Sequence, residues 1–304
     1  MKKQLLFLAL LTVGLSAAAQ KEYKLAKSSG KLNLNISGAI LEGYNGNEII
    51  FSSKKTEPED VDERAKGLKA INSSGFTDNT GLGLDVTVKG DEINVNPVSL
   101  NNQTMVNIKV PQNIKVLFTN SNNIYRDSII LRNLKNEIEV SVSFNEVRLE
   151  NNTGPMNIKT LHSSVDAVFP AEIKGPVSIV SVYGHVDVAL PTAVKVNLEA
   201  GTNYGKIYAA EGLKIVVDKE KESGAKDNNG NATVAGMGTI NGINIVNSAR
   251  APLAATSVAV GGKAAKVINF TTRTDAENIK GKINGGGVDL ILKSNHDNIY
   301  IRQK

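Results

Sequence analysis

Apolar and polar residues alternate along most of this chain, in runs short enough to be separate strands. Lys31-Leu-Asn-Leu-Asn-Ile36 is the first clear run, and from Met105 to Tyr208 such runs follow almost without pause. Period-two alternation marks a strand with one face buried and the other solvated. Residues 48–51, 83–88, 92–95, 288–292 and 299–301 read the same way, with Gly38 and residues 43–47 as turns. Between the early strands, residues 54–69 are highly charged. Pro58 among Glu57, Glu59 and Asp60, with Arg64, Lys66 and Lys69 further on, predicts a short amphipathic helix over 58–68. Its Val61, Ala65 and Leu68 would face the strands and cap the first of them.

The alternation itself repeats. Over residues 138–207 the period is about 20: Met156-Asn157-Ile158 matches Val177-Ser178-Ile179, and Thr160 meets Ser181, Val165 Val186, Asp166 Asp187 and Pro170 Pro191. One unit of this length cannot bury its apolar face alone and must stack on the next. The predicted fold class is therefore all-β, a right-handed parallel β-solenoid (β-helix) with rungs of about 20 residues and the one inserted helix. Stacked rungs put equivalent side chains over one another. Val140, Ile158, Ile179 and Leu198 are expected to form one inner column, and Val147, Val165 and Val186 a second. Leu149, Ala167, Val188 and Ile207 would form a third. Arg148, Asp166, Asp187 and Lys206 would form a charged ladder outside.

Three segments, Val110-Pro-Gln-Asn-Ile-Lys115, Phe169-Pro-Ala-Glu-Ile-Lys174 and Leu190-Pro-Thr-Ala-Val-Lys195, share one punctuation. Proline cannot donate to a strand ladder, so all three should sit at corners, and recurrent Asn and Gly should mark others. Residues 219–263 lose the repeat and predict an irregular, mobile insert, with a weak hairpin within 234–246.

Composition narrows the setting. Lys2-Lys3, an apolar stretch over 5–15 and Ala17-Ala18-Ala19 read as a signal peptide over 1–19, too short to span a membrane. The mature chain, 20–304, is then a single exported domain with no integral membrane segment, in the periplasm or outside the cell. There is no Cys, which removes disulfides, thiolate metal sites and a Cys nucleophile together. The net charge of +5 becomes +3 without Lys2 and Lys3, too mild to point to nucleic acid.

Candidate chemistry is sparse. Asp166 and Asp187 would make a carboxylate pair, but on an outward face beside Arg148 and Lys206 they read as a solvated charge ladder. His162 and His185 fall near one corner with Tyr183 and could begin a metal site, yet no third ligand is evident. Tyr183, Tyr204 and Tyr208 gather in consecutive rungs, where aromatic rings can contact glycans. No serine elbow, His-Glu-x-x-His or phosphate loop occurs, and Gly285-Gly286-Gly287 precedes a strand. No catalytic, cofactor-binding or metal residue is assigned, and no cofactor is expected.

Three stretches carry a family resemblance. They are Glu42-Gly-Tyr-Asn-Gly-Asn-Glu-Ile49, Asp62-Glu-Arg-Ala-Lys-Gly-Leu68 running into Asp78-Asn-Thr-Gly-Leu-Gly-Leu84, and Ile283-Asn-Gly-Gly-Gly-Val-Asp-Leu290 closed by Asn298-Ile-Tyr-Ile-Arg302. With them the chain resembles a bacterial family of exported β-strand-repeat proteins labelled adhesins, whose domain has no known function. The resemblance covers nearly all of the mature chain, with 219–263 departing from it. It implies a right-handed parallel β-solenoid at the envelope and carries no site residues across.

The expectation is thus a non-enzymatic cell-envelope solenoid acting as an adhesin, scaffold or interaction module, its partner an envelope protein or glycan. The alternative is an envelope polysaccharide-binding or polysaccharide-cleaving β-helix using Asp166, Asp187, His162, His185 and Tyr183. A sensor or chaperone accessory, in which 219–263 orders on a partner, is a third.

Overall fold

The computed structural model describes residues 21–53, 63–65, 67–68, 73–99, 105–124, 126–218 and 277–304, with four short strands between 239 and 265. The described chain is strand and corner; a 3-10 turn at Glu63–Ala65 is its one helical piece. Most of the predicted helix and the signal peptide lie outside the described residues. Leu68, expected to face the strands, is 74% exposed and does not cap them.

Two large sheets, of ten and eleven strands, are built mainly from parallel pairs, and neither closes on itself. Through the middle of the chain, successive strands alternate between them. β8 (Asn113–Asn120), β10 (Ile138–Val142), β12 (Met156–Thr160) and β14 (Val177–Ser181) lie in the larger sheet. β9 (Ile129–Arg132), β11 (Val147–Glu150), β13 (Val165–Val168) and β15 (Val186–Leu190) lie in the smaller. A strand of the larger sheet and the strand after it form one rung. The register puts Val140 on Ile158 and Ile158 on Ile179, and Val147 on Val165 and Val165 on Val186, as the period demands. All of these are buried, so the apolar half of the alternation forms one core between the sheets.

The ends are not stacked in chain order. β24 (Val288–Ser294) and β25 (Ile299–Gln303) form a rung inserted between the β14–β15 rung and the one made by β16 (Val196–Thr202) and β17 (Ile207–Ala209). The other end mirrors this. β2 (Ser29–Leu34) and β3 (Ala39–Tyr44) sit between the β8–β9 rung and the rung of β6 (Glu92–Pro97) and β7 (Val106–Pro111). Antiparallel strands flank both ends. β4 (Ile49–Ser53) pairs with β7 and β1 (Lys21–Leu25) with β4; β5 (Leu84–Lys89) pairs with β6; β23 (Glu277–Ile283) pairs with β16 and β18 (Ile215–Val217) with β23.

The observed register corrects two of the expected columns and the charged ladder. Ile179 meets Leu292, not Leu198; Leu292 meets Ala200, and Leu198 joins the Val177–Leu290 column. Ile207 stacks through Ile299 beneath Val186, while Val188 leads through Ile301 to Ala209. Outside, Asp187 is followed by Tyr300 and Tyr208, so Lys206 is absent from the ladder. The offset of 21 residues holds across the inserted rung, and the expected columns were two residues short of it.

Corners follow the expected chemistry. Pro170 and Pro191 lie between strands, and Pro111 ends β7. Asn133, Asn151 and Asn284 take left-handed backbone angles of 55°, 55° and 51°. β19 (Thr239–Ile240) pairs with β20 (Ile243–Asn244) inside the predicted hairpin, and β21 (Val258–Val260) with β22 (Lys263–Ala265) in a stretch without strand expectation. The remainder of the predicted irregular insert lies outside the described residues.

Candidate functional site

Four parallel strands of the larger sheet, β12, β14, β24 and β16, end in a buried hydroxyl, and in the last three it shapes the corner that follows. Ser181 Oγ donates to the Ser163 carbonyl of the preceding rung (3.0 Å) and accepts from the Gly184 N–H of its own corner (2.9 Å). Ser294 does the same with the Gly184 carbonyl and the Asp297 N–H, and Thr202 with the Asp297 carbonyl and the Gly205 N–H. The hydroxyls lie in one column, Ser181 on Ser294 and Ser294 on Thr202, each tying two rungs together. Thr160 begins that column, fully buried, with no partner for its own hydroxyl. Corner glycines make the close stacking feasible. A Cβ on Gly184 would lie 2.4 Å from the Ser163 carbonyl carbon, and one on Gly205 2.1 Å from the Asp297 oxygen.

The side chain two residues after each hydroxyl then points outward at the same height on every rung. With Phe144, two residues after Val142 at the end of β10, these side chains form a stack of five rings in the order Phe144, His162, Tyr183, His296, Tyr204. Neighbouring centroids are 4.7–4.8 Å apart and the planes lie within 13° of parallel. The Arg126 guanidinium lies over the Phe144 ring, 5.5 Å from its centre. The ring spacing is the strand spacing, so the backbone sets it. Aromatic contacts of this kind contribute about 0.5–1.5 kcal/mol per pair beyond the area they bury. Tyr183 and Tyr204 remain 51% and 56% exposed. Because the faces of Tyr183 are covered by His162 and His296, it offers solvent its edge and hydroxyl, not a platform.

The outer face of the smaller sheet runs beside this corner. Arg148, Asp166, Asp187, Tyr300 and Tyr208 form one column. Arg302 grips Asp187 with two groups, Nε at 2.8 Å from both carboxylate oxygens and a terminal nitrogen at 2.7 Å. That hydrogen bonding raises the guanidinium pKa above its ordinary value. Arg302 also lies over the Tyr300 ring, which stacks on Tyr208 at 5.4 Å. Two levels away, Arg132 pairs with Glu150 at 2.7 Å.

The expected cluster of His162, Tyr183 and His185 divides. His162 and Tyr183 stack, whereas His185 turns to the sheet face. There its Nδ1 meets Ser164 Oγ at 3.0 Å, its Nε2 meets Asp166 Oδ1 at 3.2 Å, and its ring sits edge-on to Tyr300. Serine, histidine and carboxylate in line are the residue types of a nucleophile triad. Here the nitrogens are reversed, the Asp166 side chain is 50% exposed and the His185 side chain 37%. Such bonds compete with water and hold the imidazole at the surface. Asp166 and Asp187, adjacent in register, each pair with a different side chain, Asp166 with His185 and Asp187 with Arg302. Lys206 lies in the level position of His185 and Asn298, its N–H bonded to the Asn298 side chain. Among the described residues, no three His, Asp or Glu side chains converge as a metal site.

The ring stack was missed by period counting because one of its members, His296, is out of chain order. Its signal was nonetheless present: Thr160-Leu-His-Ser163, Ser181-Val-Tyr-Gly184, Thr202-Asn-Tyr-Gly205 and Ser294-Asn-His-Asp297 share a hydroxyl, a spacer, a ring and a small or capping residue.

No protein-family model matches this chain, and no curated protein matches it. The family resemblance drawn from the residues therefore stays a resemblance. Among solved structures, the chain is similar to a "putative cell adhesion protein" from Clostridium sporogenes ATCC 15579. The identity is 14% and the TM-score 0.40, over 94% of this chain and 100% of that one. A likeness of that size decides neither the fold nor the activity of this protein. Among the described residues no helix is long and apolar enough to cross a membrane.

Proposed function

We propose that the chain is a right-handed parallel β-solenoid, exported by its first 19 residues, that serves at the cell envelope as an adhesin, scaffold or interaction module without catalysing a reaction. The observation that carries this reading is the exposed ring stack on a corner pinned by buried hydrogen bonds. It is a straight rigid ridge of tyrosine and histidine edges with a charged sheet face alongside. Rigid aromatic side chains that lose little conformational freedom on contact are suited to recognition. The ridge favours a partner that also repeats along a line, an envelope protein or an extended glycan met by its hydroxyls. Stacking of sugar rings is disfavoured within the ridge, since neighbouring rings already cover one another.

The test is binding of the purified protein to isolated envelope fractions. Saturable binding is expected, and the double substitution Tyr183→Ser and Tyr204→Ser should weaken it at least tenfold while leaving the circular dichroism of the sheets unchanged. Non-saturable binding, or equal binding by the variant, overturns the proposal.

A further inference from the structure

The C-terminal rung is attached to the fold in a manner unlike the rungs around it. β24 and β25 are buried on both sides, with parallel neighbours at Val177–Ser181 and Val196–Thr202 in one sheet and at Val186–Leu190 and Ile207–Ala209 in the other. Leu290, Leu292, Ser294 and Ile299 are fully buried. Yet the flanking rungs, β14–β15 and β16–β17, follow each other directly in sequence, so the chain lays down both sides of this level before its occupant exists. Residues 219–276 then separate β18 from β23. A connection of 58 residues can extend at most about 200 Å, so chain length does not compel the rung to fill its own slot.

We propose that the level between β14–β15 and β16–β17 is a strand-acceptor site, and that two copies of this chain exchange residues 277–304 through it. A second copy is the occupant because the slot is specified by side-chain pattern. Its level offers Ile179, Val177, Ala200 and Leu198 to Leu292 and Leu290, and Ser181 and Thr202 on either side of Ser294. The Asp187 carboxylate awaits Arg302 on the sheet face. The exchanged segment makes the same contacts as the native one, so exchange adds little cost beyond association itself. In dilute solution the tethered rung wins, because a linked segment competes at an effective concentration that is millimolar for short linkers and falls as the linker lengthens. Exchange grows where copies are crowded, and each exchanged pair is then joined by two shared rungs.

Val180 and Lys293 are direct neighbours across β14 and β24, and the chain has no cysteine of its own. Full-length copies carrying Val180→Cys are unfolded with copies carrying Lys293→Cys, refolded together and oxidised. A covalent heterodimer that increases with total protein concentration is expected. A yield no greater than that from pairing Lys293→Cys copies with Lys89→Cys copies, whose cysteine lies in β5 at the far end of the same sheet, overturns the exchange. The double variant Val180→Cys/Lys293→Cys, refolded alone at high dilution, should give a disulfide-bonded monomer that no longer exchanges. Failure to form that internal bond would remove the register on which the exchange rests and overturns it as well.

Discussion

Leu292→Ala is the substitution that most directly probes the inserted rung. Were rungs stacked in chain order, Leu292 would sit in the last strand pair, where fraying is cheap. In the structure it is fully buried in the middle of a column, with Ile179 on one side and Ala200 on the other. Removing the isopropyl end of its side chain forfeits about 1.5–3 kcal/mol of burial, and the cavity left between two parallel strands adds to that. The expected cost is about 3 kcal/mol, equal within error to that of Ile158→Ala two levels away, whose side chain is equally buried. With a urea dependence of about 2–3 kcal/mol per molar, both midpoints should fall by about 1–1.5 M. Hydrogen exchange localises the effect: in the unaltered protein the amides of Leu292 and Ile299 should exchange as slowly as those of Ile158 and Val165. Rapid exchange at Leu292, or a cost under about 1 kcal/mol beside an Ile158→Ala cost of 3, would refute the insertion.

The corner motif makes two further predictions. Gly205→Ala drives a methyl into the Asp297 carbonyl and should cost about 1–3 kcal/mol in urea unfolding. Ser294→Ala leaves the buried Gly184 carbonyl and Asp297 N–H without their partner and should cost about 1–3 kcal/mol, against less than half of that for Ser163→Ala, whose side chain does not join the column. Acid should weaken the fold through Glu199. Burial alone would raise its pKa, but the Lys293 and Lys280 ammonium groups outweigh burial and hold it below the ordinary 4.5. A depressed carboxylate contributes stability that is fully present above pH 4.5 and is lost as pH falls through its folded value. Glu199→Gln should flatten that acid limb in pH-dependent thermal melts, and an unchanged limb would contradict the pairing.

Much of the middle of this protein was legible without coordinates. The period near 20 placed Val140, Ile158 and Ile179 in one column and Val147, Val165 and Val186 in another, since each rung there meets the next rung in the chain. The Asp166–Asp187 neighbours were legible for the same reason. Leu198, Ile207 and Lys206 were misplaced because the offset of 21 residues carries on through the inserted rung, as in Val177–Leu290–Leu198 and Val186–Ile299–Ile207, where an offset two residues shorter was expected. Strands β1, β3 and β23 escaped notice too. β1 and β23 are pairing strands at the ends, and their polar, part-exposed sequences carry little alternation.

Local alternation and the repeat by themselves determined that this chain forms short strands, that one face of each is buried, and that successive units lie parallel. These properties depend on residues within one period of each other. Which rung lies beside which at the two ends was decided only by tertiary structure. Leu290 and Leu292 alternate just as Leu198 and Ala200 do, so an apolar pattern of this kind suits many levels of the same core. The choice among levels rests on non-local pairing and on the match of Arg302 to Asp187, neither of which leaves a periodic trace. The same choice aligned His296 between Tyr183 and Tyr204 and so completed the ring stack from two distant parts of the chain.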